Sequence, residues 1–214
     1  MKTELHLHTN AYSECATLTP EEMMAAALAA GYEAVCITEH NAVWPAERLA
    51  ALQAMFPAVR IFPGVELTVI DFTLHLVVLG TNDPEYLPLR RDPRAVIERA
   101  RKHGHLTVLA HPFRWGGAED LLQSGSVPDA IEHRTANHPA PLAQVSRQWA
   151  DALGLALVNA GDTHSLAMLD RFWIETTRPI ERAEDIREIV VAGQYENCMH
   201  RGEDKDTNDT KGDE

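Results

Sequence analysis

The sequence predicts a parallel α/β domain, and three observations predict it. Short apolar, β-branched runs alternate with helical stretches along the chain. Helix start and stop signals separate them. Histidines and carboxylates recur where the strands end, which is where parallel α/β folds carry their functional groups, whether the sheet is open or closed into a barrel.

Glu4-Leu5-His6-Leu7-His8-Thr9 alternates polar and apolar residues, so it reads as a strand with His6 and His8 on one face. After a polar loop, Asn10 to Cys15, Thr19 caps a helix. Pro20 takes its first position, Glu22 completes a capping box, and Gly31 stops it. Ala34 to Thr38 reads as a buried parallel strand delivering Glu39-His40-Asn41. A helix follows over Pro45 to Met55. Arg60-Ile61-Phe62 then leads through Pro63-Gly64 to Val65-Glu66-Leu67, and Thr73 to Gly80 alternates as a strand around His75.

Asp83 to Asp92 is a connection. Asp92-Pro93 opens a helix that runs to Lys102 and stops at Gly104. The strand Leu106 to Ala110 delivers His111-Pro112-Phe113-Arg114. A short strand at Asp129 to Glu132, a helix over Ala140 to Leu153 closed by Gly154, and a strand over Ala156 to Asn159 lead to Gly161-Asp162-Thr163-His164. Phe172 to Thr176 is the last clear strand and Arg182 to Ala192 the last helix. Residues 201–214 hold no large apolar side chain and are expected to form a disordered acidic tail, leaving 1–200 as one domain.

The chain has 214 residues, 45% hydrophobic and 24% charged, the composition of a soluble domain with a full core. No apolar run approaches the roughly 20 residues of a membrane helix, and the start shows no signal-peptide pattern. Cys15, Cys36 and Cys198 form no C-x-x-C pair, so a reducing cytoplasm is expected and a thiolate zinc site is not. The net charge of −13 weighs against broad nucleic-acid binding. Of the eleven histidines, His103, His105, His133, His138 and His200 are assigned to surface or helix-end roles.

The strand-end candidates are His6, His8, Glu14, His40, Glu66, His75, His111, Asp162 and His164. All are nitrogen or oxygen donors, which suits zinc, manganese or iron in a catalytic site. They are too many for one ion and suit two or three. Clustered ions are a standard solution for phosphoester hydrolysis, with a metal-bridging hydroxide as nucleophile. The chain accordingly has no G-x-S-x-G, P-loop or H-E-x-x-H. Arg114 is placed to reach a phosphate oxygen, with a surface ion pair as its other reading. His164 is a candidate to protonate the leaving oxygen, although a ligated imidazole is a poor acid. Arg134 and Asn137 read as loop surface, with pocket lining as their other reading, the Arg90 to Lys102 cluster as a solvated helix face rather than a guide for a polyanionic substrate, and Trp44 and Trp115 as stacking groups or caps on the barrel mouth.

Five motifs together resemble the PHP (polymerase and histidinol phosphatase) domain family. They are HLHT with Ser13-Glu14, ITEH at 37–40, GVE at 64–66 with His75 in HLVVLG, AHP at 110–112 and GDTH at 161–164. The resemblance implies a distorted (β/α)7 TIM-like barrel with a trinuclear metal site. It assigns His6, His8, Glu66 and Asp162 to one ion, Glu66, His75 and His111 to a second, and Glu14, His40 and His164 to a third. Glu14 and Glu39 stand where the family more often has Asp, so each reaches one methylene further. Glu39 is expected to orient a ligand histidine from behind.

The expected activity is hydrolysis of a small phosphorylated metabolite or nucleotide, with no membrane and no obligate protein partner. A 5′–3′ exonuclease or oligonucleotide phosphodiesterase is the alternative. The acidic charge and the short segment from His75 to His111 weigh against it. A non-catalytic metal-binding regulatory module is the third reading, and C–N bond hydrolysis a fourth. Related C–N hydrolases use a carboxylated lysine, and Lys2, Lys102, Lys205 and Lys211 are badly placed for one.

Overall fold

The structure, a computed structural model, describes residues 1–69 and 74–200. Thr73 and the expected acidic tail lie outside the described residues.

Nine strands form one sheet: β1 (Lys2–Leu7), β2 (Ala34–Ile37), β3 (Arg60–Val69), β4 (Leu74–Leu79), β5 (Leu106–Ala110), β6 (Ala130–Glu132), β7 (Ala156–Val158), β8 (Phe172–Thr176) and β9 (Tyr195–Met199). Their spatial order is β7-β6-β5-β4-β3-β2-β1-β8-β9. Neighbours pair in parallel except where β4 meets β3 and β5, and where β8 meets β1 and β9. Seven strands therefore run one way, and β4 and β8 run against them. The reversal at β4 follows from connection length, because β4 starts only five residues after β3 ends and an antiparallel partner needs only a short turn whereas a parallel one needs a crossover.

The sheet curls into a nearly closed barrel, the class the sequence predicts. Two features draw its ends together. The segment after β7 bridges back to β1, with His8 N donating to Thr163 O at 2.9 Å and Thr163 N to His6 O at 3.1 Å. Side chains tie β7 to β9: the Tyr195 hydroxyl and the Asn197 amide donate to Leu157 O, and the Asn159 amide donates to Cys198 O. β9 and the short helix α4 below were not expected from the sequence. β9 carries polar residues on most of its length and no apolar alternation, so it has no local strand signal.

Helices α1 (Pro20–Ala29), α2 (Ala46–Met55), α3 (Pro93–His103), α4 (Ala118–Gln123), α5 (Ala140–Leu153) and α6 (Ala183–Val191) surround the sheet. The capping box on α1 forms as predicted, Thr19 Oγ1 accepting from Glu22 N while Glu22 accepts from Thr19 N. Asp92 caps α3, and Gly104 and Gly154 end α3 and α5 in the left-handed conformation that glycine adopts without steric cost. Three apolar clusters result. One fills the barrel between Leu5, Cys36, Val77, Val108 and Ile174, with Ile186 and Ile189 of α6 joining it. A second packs α3, α4 and α5 on the outer face, and a third packs α1 and α2 against β1 and β2. Leu5 belongs to the interior and Leu7 to the outer face because the β1 register slips between Glu4 and Leu7. This bulge breaks the simple alternation read from the sequence.

Candidate metal centre

The strand ends converge on Glu66, which lies in β3 and is fully buried. Its two oxygens face different histidines. Oε2 lies 3.3 Å from Nε2 of both His6 and His8 and 2.7 Å from His40 Nδ1. Oε1 lies 2.7 Å from His75 Nδ1 and 3.0 Å from His111 Nε2. Across the cluster, Asp162 Oδ1 lies 3.4 Å from the same His6 and His8 nitrogens. His75 reaches this group because β4 is antiparallel. It sits at the start of β4, opposite Thr68 of β3 and Ala110 of β5, one residue before His111. A strand running the other way would carry it to the far end of the barrel.

Several buried atoms here have no hydrogen-bond partner, among them the four atoms His6 Nε2, His8 Nε2, Glu66 Oε2 and Asp162 Oδ1. Such orphans are costly and rare. These four belong to the four residues whose donor atoms all lie within 4.8 Å of one another, and two carboxylates with two imidazoles are a donor set for a divalent cation. The residues therefore fit a metal ion. His8, His40 and His164 form a second such group, and His40, Glu66 and His75 a third.

The surroundings fix which nitrogen of each ring faces inward. His6 Nδ1 meets Glu132 Oε1 at 2.7 Å, and the carboxylate can only accept, so in the neutral ring the free lone pair is on Nε2. His8 Nδ1 lies 3.3 Å from Ser13 Oγ, which donates in turn to Glu39 Oε2 at 2.6 Å. Glu39 thus acts on a ligand histidine through Ser13, and it also accepts from Trp44 Nε1. His164 Nδ1 donates to Asp162 O at 2.9 Å, leaving its Nε2 3.3 Å from His40 Nε2.

The carboxylates and histidines of the cluster shift one another's ionisation. Burial alone would raise Glu66, but the His6 charge and the imidazoles of His111 and His40 beside its oxygens hold it well below the carboxylate range. Asp162 is lowered in the same way by His6 and His8 against its burial. His6 is raised well above the imidazole range because Asp162, Glu66 and Glu132 outweigh its burial. His164 goes the other way, since burial and the nearby His8 bring it down to about 4. His111 and Asp162 adopt left-handed backbone, φ 27° and 46°. This is an uncommon conformation for residues with side chains, and such strain concentrates at functional sites. Glu132 Oε2 holds the His111 backbone by accepting from its N–H at 2.6 Å.

A family model described as the PHP domain matches residues 4–112, just over half of the chain. The chain belongs to the PHP domain family. Among solved structures, this PHP chain is similar to a two-domain protein from Bacteroides vulgatus described as containing a predicted PHP-like metal-dependent phosphoesterase. The TM-score is 0.72 with 20% identity, over 94% of this chain and 65% of that one. The chain thus spans 65% of that protein's length. It is similar to a protein from Bifidobacterium adolescentis provisionally named a metal-dependent phosphoesterase, with TM-score 0.62 and 14% identity over 87% of this chain and 94% of that one. It is also similar to an amidohydrolase from Chromobacterium violaceum with bound sulfate and no metal, with TM-score 0.59 and 16% identity over 77% and 88%. No curated protein matches. At these identities the likeness is one of fold, that of PHP-like metal-dependent phosphoesterases.

Of the PHP positions named from the sequence, eight converge and one stands apart. Glu14 is exposed and belongs to none of the three groups. Above the histidines opens a cavity of about 400 Å³, whose wall includes His40, His75, His111, Asp162 and His164 together with Arg114, Trp115 and Asn137. Asn137, read from the sequence as loop surface, donates from Nδ2 to Asp162 Oδ2 at 2.8 Å. His138, read as a surface residue, is buried and holds the loop after His111 through Pro112 O at 2.7 Å. Trp44 is buried at the core, whereas Trp115 is 52% exposed at the cavity, 5.2 Å from the rings of His75 and His111. Sequence reasoning missed Glu132. Glu132 ends a strand as the candidate ligands do, and that signal was available. Among the described residues no helix is long and apolar enough to cross a membrane.

Proposed function

We propose that the chain is a metal-dependent phosphomonoesterase acting on a small phosphorylated metabolite or nucleotide. The observation that carries this reading is the convergence of four unpartnered buried donor atoms beneath an open cavity with an arginine on its wall. Two or three divalent transition metal ions (zinc, manganese or iron), when bound, supply an activated water and neutralise charge on the phosphoryl group. The remaining work falls to the chain itself. His6, His8, Glu66 and Asp162 would hold one ion. Glu66 would share its other oxygen with His75 and His111 at a second, and His40 and His164 would serve a third.

Glu132 and Ser13 keep His6 and His8 in the tautomers that offer Nε2. Arg114, exposed and stacked 4.6 Å over Trp115, offers a guanidinium fork to a phosphate oxygen. His164 holds no proton on Nε2 near neutral pH, which fits a ligand better than a donor to the leaving oxygen. The cavity volume suits a compact ester, and its wall contains no lysine, which weighs against the carboxylated-lysine chemistry of C–N hydrolases. Three free cysteines fit a reducing compartment, and the reading assigns the enzyme to the cytoplasm.

The test is phosphate release from nucleoside monophosphates, sugar phosphates, histidinol phosphate and short 5′-phosphorylated oligonucleotides with manganese or zinc. A chelated control and Asp162→Asn run alongside. Release that needs metal and disappears in the variant supports the reading. Preferential degradation of the oligonucleotides replaces it with the nuclease. A metal-loaded chain inert to the whole panel leaves the regulatory module.

A further inference from the structure

Glu66 and Asp162 both stand among the histidines, but their oxygens are not used alike. Both oxygens of Glu66 face imidazoles. Of the Asp162 oxygens, Oδ1 has no hydrogen-bond partner and lies 3.4 Å from Nε2 of His6 and of His8. Oδ2 is taken up by an amide. Asn137 Nδ2 donates to it at 2.8 Å and to Asp162 O at 3.2 Å. Two acceptors on one nitrogen settle which way round the amide lies, since its carbonyl end cannot donate to them. Without Asn137, Oδ2 would be left facing His111, whose Nε2 is 3.9 Å away.

The amide is held in place from both sides. The Asn137 backbone N–H donates to Thr135 Oγ1 at 3.1 Å, a buried side chain. Ala136 N donates to Gly161 O at 3.1 Å, one residue before Asp162. On the other side His138 Nε2 meets Pro112 O at 2.7 Å, one residue after His111. The loop after β6 is thus tied to the two strand ends that carry His111 and Asp162, the two residues of the centre with left-handed backbone. The bond from Nδ2 to Asp162 O braces one of those backbones directly.

We propose that Asn137 is a positioning residue that confines Asp162 to one oxygen, Oδ1, toward the ion held with His6, His8 and Glu66. Oδ2, engaged by the amide, stays off the neighbouring ion of Glu66, His75 and His111. This rests on the metal-centre reading above and adds a division of roles to it: Glu66 is the carboxylate that joins two ions, and Asp162 serves one. The second ion is then left with three protein donors and an open position for the substrate, the arrangement of catalytic rather than structural ions. An outer partner that orients a ligand in this way is part of a metal site as much as the ligand is.

The experiment is infrared difference spectroscopy of the full-length chain, zinc-loaded against chelated, with aspartate isotopically labelled at its side-chain carboxyl carbon. A carboxylate that binds through one oxygen splits its two stretching bands widely, and one that binds through both splits them narrowly. Labelled bands that respond to zinc and disappear in Asp162→Asn belong to Asp162. The parent is expected to show the wide splitting. The splitting is expected to narrow in Asn137→Leu, which keeps the size and loses the donor, and in Asn137→Ala, which loses the donor without adding bulk. A role in packing alone would spare the splitting in at least the first of these. Wide splitting in both variants, narrow splitting in the parent, or zinc bound with no response from Asp162 overturns the proposal and leaves bound metal standing. A folded chain that takes up no zinc overturns the metal centre as well.

Discussion

Nδ1 of His6 lies 2.7 Å from Oε1 of Glu132, and Oε2 of the same carboxylate accepts the backbone N–H of His111 at 2.6 Å. One buried acid thus positions residues on both sides of the centre. Glu132→Gln keeps the shape but offers one acceptor where two donors arrive, so one N–H is left unpaired. Affinity for the most tightly held ion is expected to fall about 10- to 100-fold. Competition against a chelator of known strength measures it, and unchanged affinity would show that Glu132 has no positioning role.

Arg114 is exposed on the cavity wall, so its removal should leave the fold intact. A hydrogen bond to a charged group contributes about 1.5–3 kcal/mol, so Arg114→Ala should lower kcat/KM for a phosphomonoester roughly 10- to 100-fold. Thermal unfolding should move little, since surface substitutions stay within about 0.5 kcal/mol. Equal kcat/KM in the two proteins would assign Arg114 to the surface.

Metal removal should destabilise the chain, because the proposed ligands come from β1, β3, β4 and the loops after β2, β5 and β7, a set that cannot persist unfolded. Binding at a hundredfold excess over Kd adds about 2.7 kcal/mol. In a domain of this size that corresponds to a Tm lower by roughly 5–10 °C on chelation. Scanning calorimetry with and without chelator checks it, and coincident transitions would mean that no ion was held.

Glu4 lies beneath the centre, fully buried, with Oε1 accepting from His6 N and Gly161 N and Oε2 unpartnered. Burial pushes its carboxyl up to about 7 from 4.5. Between those values the folded chain holds a proton that the unfolded chain has released, so stability falls as pH rises through this window and levels off above it. The chelated protein should lose roughly 3 kcal/mol at most across the window. Glu4→Gln should abolish that slope and be the more stable protein at pH 8 in urea titrations. A parent and variant with parallel pH profiles would show that Glu4 ionises normally.

Gly161 is fixed by the same carboxylate. A Cβ there would lie 2.3 Å from both Glu4 Oε2 and Thr163 Oγ1. Gly161→Ala should therefore be strongly destabilising while leaving the soluble fraction measurable by denaturant titration, and an unchanged midpoint would mean that the segment relaxes freely.

The sequence by itself determined the elements whose causes are local. The Thr19 capping box, the Asp92 cap and the glycine stops after α3 and α5 depend on residues within a few positions of one another, and they form as read. The residues that gather at the centre were legible too, because imidazoles and carboxylates recur at successive strand ends. The tertiary structure decided what long-range pairing controls. The reversed direction of β4 returns His75 to the mouth of the barrel beside His111. The parallel stacking of β5, β6 and β7 sets Glu132 between His6 and His111. The segment from Gly161 to Thr163 bridges to β1 and brings Asp162 against Glu66. β9 forms only because β8 offers it a free edge, since hydrogen bonding to a neighbour can order a strand whose own residues carry no apolar pattern.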